Sequence, residues 1–108
     1  MEIEWLKEKI KKDLLKYAQS NKITAKRILS IKAAKNFCDL ELASNGRAHF
    51  LEGKYAGCFA IDLEKTGNGK RLICQPLGSE LQKMENGMYI KETITALKIL
   101  EISDHYKK

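Results

Sequence analysis

Five residues of this 108-residue chain carry side chains suited to acid–base chemistry on a phosphate: His49, Lys54, Arg71, His105 and Tyr106. Histidine titrates near neutral pH and can give or take a proton. Lysine and arginine supply positive charge, and arginine can hold two phosphate oxygens at once. A phenol donates a hydrogen bond or offers a stacking surface to a base. Cleavage of RNA by its own ribose 2′-hydroxyl needs such groups, because one proton must be removed, another supplied and the developing charge stabilised.

The spacing of these residues leaves their individual roles open. His105 and Tyr106 are adjacent, and adjacent residues of a strand point to opposite faces. One of the two is therefore expected to be structural unless the strand ends before them. Arg71 could pair across a hairpin with Asp62 or Glu64 instead of binding a phosphate. From these residues alone we infer only a small basic domain that could act on RNA.

The positive charge of the chain is concentrated at its N-terminal end. The net charge is +6, and residues 1–35 contain ten Lys/Arg against four Asp/Glu, which accounts for the whole excess. Charge confined to one segment favours contact with a polyanion, although a lysine-rich helix face kept for solubility has the same pattern. The candidates for nucleic-acid binding are Lys7, Lys11, Lys12, Lys22, Lys26 and Arg27.

Size and composition argue against several other classes of protein. A chain of 108 residues suits one domain, residues 1–108, with one modest core. It has neither a membrane-length apolar run nor a basic leader followed by an apolar stretch, so we expect a cytoplasmic protein without membrane contact. The three cysteines lack CxxC spacing and indicate reduced thiols packed in the core. Two distant histidines and the absence of a phosphate-binding glycine loop predict neither a metal nor a cofactor.

The first third of the chain predicts a strand followed by a helical hairpin. Residues 2–5 alternate between apolar and acidic side chains, as in a short strand. Apolar residues recur at helical spacing over residues 6–18 and again over residues 25–33, with Thr24 as the predicted N-cap of the second helix. The turn between the helices is short, so they should lie antiparallel. The alternative is that the first five residues join the first helix and that the sheet is purely antiparallel.

The rest of the chain predicts strands. Residues 36–42 could add a turn of helix, and residues 58–63 and 71–75 indicate two strands joined by a glycine-containing turn at 66–69. Residues 93–102 are apolar on both faces in their first part, as expected of a central strand that is covered on each side. We therefore predict an α+β fold, with an N-terminal helical hairpin packed on one face of a small curved mixed β-sheet. The other face is left for function.

Five segments together give a resemblance to a known family. They are residues 33–40 (AAKNFCDL), 49–57 (HFLEGKYAG), 59–63 (FAIDL), 71–73 (RLI) and 101–106 (EISDHY). In their order and spacing the chain resembles the RelE/ParE toxin superfamily, and within it the HigB-like branch of killer proteins. One departure concerns the end of the chain, where branch members commonly have Asp-Tyr-His and this sequence has Asp104-His105-Tyr106.

The resemblance implies a RelE-like fold and a toxin that pairs with an antitoxin encoded beside it, here expected to be of the helix-turn-helix type. HigB-like members cleave mRNA on the translating ribosome without a metal ion. If the roles known in the family are carried onto this chain, Lys54 and Arg71 would stabilise the phosphate. His105 or Tyr106 would transfer protons, with His49 as a weaker candidate. The basic N-terminal segment would then contact RNA or the ribosome, and the antitoxin would bring the pair to operator DNA.

Two other functions stay open at this point. A ParE-like relative would inhibit DNA gyrase by binding it and would need no catalytic acid or base. An inactive relative would bind only its partner or DNA. The combination of Lys54, Arg71 and His105 favours the endoribonuclease.

Overall fold

The computed structural model describes residues 1–43, 48–63 and 70–104, in which three helices pack on a five-stranded sheet. The elements in chain order are β1 (Glu2–Trp5), α1 (Glu8–Gln19), α2 (Lys22–Ala33), α3 (Phe37–Ala43), β2 (Ala48–Phe50), β3 (Phe59–Asp62), β4 (Lys70–Leu77) and β5 (Ala96–Asp104). The strands are ordered β1-β5-β4-β3-β2, with β1 parallel to β5 and the other pairs antiparallel. The predicted α+β architecture with a mixed sheet is confirmed, and the purely antiparallel alternative is wrong.

The helical hairpin forms as predicted, but a different residue caps its second helix. The side-chain oxygen of Asn21 accepts a hydrogen bond of 3.0 Å from the backbone N–H of Thr24, which makes Asn21 the N-cap of α2. The prediction that Thr24 is the cap is wrong, because Thr24 lies in the first turn of the helix. Its buried hydroxyl donates a hydrogen bond of 3.1 Å to the carbonyl of Leu63. Thr24 therefore ties α2 to the end of β3.

The core lies between the helices and one face of the sheet. Helical side chains in it include Leu14, Ile31 and Phe37. They pack against alternating residues of the strands, namely Phe59, Ile61, Leu63, Leu72, Cys74, Leu97 and Ile99. Phe37 meets Phe59 edge-on, with ring centroids 4.9 Å apart. Because side chains alternate along a strand, this packing decides which strand residues point away from the helices.

The face of the sheet that points away from the helices is called the open face below. We define it by Ala60, Asp62, Arg71, Ile73 and Glu101, which alternate with the core residues of β3, β4 and β5. Phe59 and Ile61 of β3 point to the core. However, Ala60 and Asp62 are buried as well. The centre of the open face is therefore covered, and only part of it is available for contact.

The last strand is an interior strand, as predicted, since β5 lies between β1 and β4. The register of the β4–β5 pair shifts between Ile73 and Cys74, where β5 holds one extra residue. The connection from β4 to β5 contains a bridge between Lys83 and Tyr89. Tyr89 stacks on Phe50 at 6.1 Å between ring centroids, so this connection returns to the β2 edge of the sheet.

Candidate active site

Arg71 lies at the centre of a group of polar residues on the open face. The strand register pairs it with Asp62 of β3 on one side and with Ser103 of β5 on the other. Glu101 precedes Ser103 by two residues on the same face. It is thus the diagonal neighbour of Arg71, at the roughly 7–8 Å that is usual for such pairs. The antiparallel pairing of β4 with β3 and β5 therefore places the Arg71 side chain between those of Asp62 and Glu101.

Asp62 is the more buried of the two carboxylates, with 6% of its surface exposed. Its Oδ1 atom and the Nε atom of Arg71 are both buried, whereas Arg71 as a whole is half-buried. Opposite charges attract more strongly where water is excluded, so Asp62 favours one orientation of the guanidinium. Asp62 lies opposite Arg71 in the strand register, which fits the alternative of a pair across the hairpin. Glu64, the other candidate partner, lies outside the described residues. Arg71 is only half-buried, so its side chain remains accessible on the open face.

Lys54 belongs to a short 3-10 turn, Gly53–Tyr55, that folds back over the open face. Gly53 and Gly57 frame this turn with φ values of 68° and 88°, which glycine adopts without steric cost. The Tyr55 hydroxyl donates a hydrogen bond to Oε1 of Glu101, and the Nζ atom of Lys54 lies 5.4 Å from the centre of the Tyr55 ring. Since β3 and β4 separate β2 from β5, this hydrogen bond requires Tyr55 to reach across both strands.

The hydrogen bond to Glu101 has an electrostatic consequence for Tyr55. It raises the pKa of the Tyr55 phenol above the usual 10.0, and burial adds to the rise, while the positive charge of Arg71 opposes it. Tyr55 therefore keeps its proton at neutral pH and acts as a donor. Tyr55 contacts Glu101 and lies beside Lys54, and the strand register places Arg71 diagonal to Glu101 and opposite Asp62. These five residues are called the connected group below.

The histidines and Tyr106 contribute less to this geometry. His49 is half-buried and pairs with Ala60, so it lies on the open face but on the edge strand β2. Two strand steps separate β2 from β4, which is roughly 10 Å between their backbones. His49 is thus farther from Arg71 than Glu101 is. His105 and Tyr106 lie outside the described residues, and their assignment stays a prediction.

Comparison with solved structures gives two matches over nearly the whole chain. A YoeB/ParE toxin from Agrobacterium tumefaciens is similar with a TM-score of 0.56 and 14% sequence identity, covering 98% of this chain and 100% of that one. A chain of the YoeB-YefM complex from Staphylococcus aureus is similar with a TM-score of 0.52 and 15% identity, covering 98% of each chain. The chain has the fold of these toxins. No family model matches the sequence, and no curated protein does.

The likeness to the YoeB/ParE toxins supports the resemblance at the level of the fold. The RelE-like architecture predicted from the sequence is confirmed. The HigB-like branch within the superfamily stays a prediction. At 14% and 15% sequence identity the two matches show a shared fold, and they do not assign a role to any residue of this chain.

In this YoeB/ParE-like fold the predicted nucleic-acid-binding residues lie apart from the open face. All six belong to the helical hairpin or to the residue that begins it, on the far side of the sheet from Arg71. The lysines among them are exposed, and Arg27 is half-buried with a buried Nε atom. They are Lys7, Lys11, Lys12, Lys22, Lys26 and Arg27. The structure therefore separates the basic helices from the candidate catalytic group by the thickness of the sheet.

Cysteine chemistry finds little support in the described residues. Cys74 lies in the core, but Cys38 and Cys58 are only half-buried, so the prediction of three core thiols is correct for one of them. Burial raises the pKa of all three thiols, which keeps them in the less nucleophilic protonated form. Among residues 1–43, 48–63 and 70–104, no group of three or more His, Cys, Asp or Glu side chains is arranged to hold a metal ion. No helix in the same ranges is long and apolar enough to cross a membrane.

Two members of the connected group were absent from the sequence-based site. Tyr55 follows Lys54 directly, so its position beside a candidate residue was a usable signal. Glu101 is an acidic residue in an otherwise apolar stretch of β5, which is a second signal. Neither signal reveals that the two side chains meet, because that contact depends on how the turn after β2 folds over the sheet.

Proposed function

We propose that this chain is the toxin of a toxin–antitoxin system and that it cleaves mRNA on the ribosome by acid–base chemistry without a metal ion. The observation that carries the proposal is the grouping of Arg71 and Lys54 with a carboxylate on the open face. Two cations can stabilise the charge that develops on a phosphate in the transition state. A nearby ionisable group can move the proton that the reaction requires. A module that only binds DNA gyrase would need no such grouping.

The proposed role of each side chain follows from its position and exposure in the structure. Arg71 holds the phosphate oxygens with its planar guanidinium, which the buried carboxylate of Asp62 orients. Lys54 is exposed and approaches from the turn beside Tyr55. His105 or Tyr106 supplies the proton to the departing oxygen, and His49 lines the edge of the same face. Membership of the HigB-like branch is part of this proposal.

The basic helices would guide RNA to the site. At the start of β4, Arg71 belongs to the open face, whereas Lys70 points to the helical side, with its Nζ atom 5.9 Å from the centre of the Tyr17 ring. A cleft of about 480 Å³ between α1 and this end of the sheet is lined in part by Lys16, Tyr17 and Lys70. Cations next to an aromatic ring suit a polynucleotide backbone and a base. An RNA could pass round this end of the sheet from the helices to Arg71.

The proposed partners follow from the same function. One similar structure is a complex, YoeB-YefM, which supports a cognate antitoxin for this chain. We expect the antitoxin to come from a neighbouring gene, to be of the helix-turn-helix type and to bring the pair to operator DNA. The ribosome and its mRNA are the proposed targets, which requires a cytoplasmic location.

The test is expression of the chain without its neighbouring gene, followed by mapping of mRNA 5′ ends. We expect growth arrest with breaks at defined codons. The double variant Arg71→Ala with His105→Ala should abolish both effects. A matched control is Gln75→Ala, since Gln75 is an exposed residue of the same strand. Undiminished toxicity of the double variant would remove the catalytic assignment. Double-strand DNA damage with intact mRNA would identify a gyrase inhibitor, and harmless expression would identify an inactive relative.

A further inference from the structure

We propose that Glu101 is the proton acceptor of the site and that Tyr55 positions its carboxylate. The proposal rests on the RNA-cleaving function above and deepens it. Neither residue was singled out by the sequence analysis. The inference comes from a contact between the turn after β2 and the strand β5, which only the folded chain brings together.

Glu101 lies near Arg71 on the open face. The two residues are diagonal neighbours on adjacent strands and on the same face of the sheet. Long side chains reach each other at this spacing. A phosphate held by the Arg71 guanidinium would therefore lie within reach of the Glu101 carboxylate. A general base must reach the proton it removes at hydrogen-bonding distance, so this proximity is the first requirement.

The two carboxylates beside Arg71 differ in burial. Asp62 is 6% exposed, whereas Glu101 is half-buried and remains accessible to a substrate. A buried acid directly opposite an arginine serves to orient it. A partly exposed acid one diagonal away can meet the ribose. The two carboxylates thus have separate roles, and Glu101 is the one that can take a proton from RNA.

Tyr55 holds one oxygen of the Glu101 carboxylate. A carboxylate has two oxygens, and the Tyr55 hydroxyl binds Oε1 of Glu101. A donor on one oxygen limits rotation of the group and directs Oε2 toward the remaining space. The raised pKa of Tyr55 keeps it protonated, so it acts as a donor over the whole neutral range. Tyr55 does not touch the reacting atoms in this scheme and is a positioning residue.

The proposed step is balanced in atoms and charge. Oε2 of Glu101 takes the proton of the ribose 2′-hydroxyl as the 2′-oxygen forms a bond to phosphorus. The bond from phosphorus to the 5′-oxygen of the next nucleotide breaks, and that oxygen takes a proton from the general acid of the proposed function, His105 or Tyr106. The site thus gains one proton on Glu101 and loses one from the acid. The products are a 2′,3′-cyclic phosphate and a 5′-hydroxyl, and the net charge is unchanged. Arg71 and Lys54 stabilise the negative charge on the phosphate while this happens.

Single-turnover cleavage on 70S ribosomes programmed with a labelled mRNA tests the assignment of Glu101. Glu101→Gln should lower the rate at saturating protein by about 100-fold or more, the usual contribution of a general base, and leave ribosome binding unchanged. Glu101→Ala should be equally slow and should regain activity when acetate is added, because a small carboxylate can replace the missing base. Glu85→Gln, in the exposed β4–β5 connection, is the matched control and should match the wild type.

A double-mutant cycle tests the positioning role of Tyr55. Tyr55→Phe should lower the rate by about tenfold in the wild type and by no more than about twofold in the Glu101→Gln background, since coupled residues are not additive. If Tyr55 only stabilised the fold, Tyr55→Phe would lower the cleavage rate by the same factor in the wild type and in the Glu101→Gln background. Tyr89→Phe is the matched control. Thermal unfolding of each variant separates chemistry from loss of fold.

The outcomes distinguish this proposal from the function on which it rests. If the wild type produces no 2′,3′-cyclic phosphate ends on any programmed mRNA, the proposed function fails and the role of Glu101 fails with it. If the wild type cleaves and folded Glu101→Gln cleaves within threefold of it, only the assignment of Glu101 is overturned. Additive losses in the cycle would overturn the role of Tyr55.

Discussion

The Tyr55 hydroxyl donates a hydrogen bond to Glu101, a residue 46 positions further along the chain. The donor follows the edge strand β2, and the acceptor lies on β5, beyond both β3 and β4. This bond holds the turn that carries Lys54 over the open face. It therefore bears on both the stability of the fold and the geometry of the candidate site.

Removal of the Tyr55 hydroxyl should lower stability in a way that depends on pH. Below the usual tyrosine pKa of 10.0, the phenol is protonated in both the folded and the unfolded chain, and the hydrogen bond contributes in full. We expect Tyr55→Phe to lower the free energy of unfolding by about 1 kcal/mol there. Above pH 10.0 the unfolded chain loses this proton first, because the folded pKa is raised, so stability falls as pH rises. The difference in the free energy of unfolding between the wild type and Tyr55→Phe should then become smaller.

Urea unfolding at pH 8 and at about pH 10.5 measures this effect. Tyr89→Phe serves as the control for the loss of a phenol elsewhere. A difference between wild type and Tyr55→Phe that is constant across the two pH values would contradict the prediction.

Asp62→Asn should reduce RNA cleavage although Asp62 does not touch the substrate. The carboxylate lies opposite Arg71 and is almost fully buried, so its charge favours one orientation of the guanidinium. We expect at least about a tenfold loss of cleavage rate, in line with the sensitivity of catalysis to small misplacements. Ser103→Ala removes a neutral neighbour of Arg71 on the other side and should have little effect. Equal rates for the two variants would show that Asp62 does not orient Arg71.

The basic helices should affect binding and not chemistry. Paired changes to glutamine, Lys11 with Lys12 and Lys22 with Lys26, remove exposed charge on the far side of the sheet from Arg71. Ribosome affinity should fall, and the slope of log K against log salt should drop by about 1 for each phosphate that the variant no longer binds. The cleavage rate at saturation should stay unchanged. Lys83→Gln, outside the helices, is the control, and an unaltered salt slope in the paired variants would argue for a purely solubilising role.

Thr24→Val should destabilise the fold without altering the site directly. The buried Thr24 hydroxyl donates to the Leu63 carbonyl at 3.1 Å, and valine would leave that carbonyl without this donor. The expected loss is about 1–3 kcal/mol in the free energy of unfolding, which urea titration can measure. Thr24→Ser keeps the hydroxyl and should lose less. A Thr24→Val variant as stable as the wild type would mean that the hydrogen bond contributes nothing net.

Short-range patterns in the sequence predicted much of the fold. The alternation over residues 2–5, the helical stripes and the apolar strand patterns are local signals, and helices and strands lie where these signals occur. The predicted glycine-containing turn at 66–69 lies outside the described residues. The N-cap of α2 was misassigned because both Asn21 and Thr24 are good capping residues. The choice between them depended on the distant carbonyl of Leu63, which engages the Thr24 hydroxyl.

The amino-acid sequence is enough to identify Lys54 and Arg71 as candidates for binding a phosphate, because both side chains are cationic. It also determined the excess of charge in the N-terminal helices. The position of Arg71 between Asp62 and Glu101 and the contact of Tyr55 with Glu101 are visible only in the folded chain. The reason is physical, because strand register and the path of a turn depend on how the whole core packs. No local pattern encodes a contact between residues that far apart in the chain.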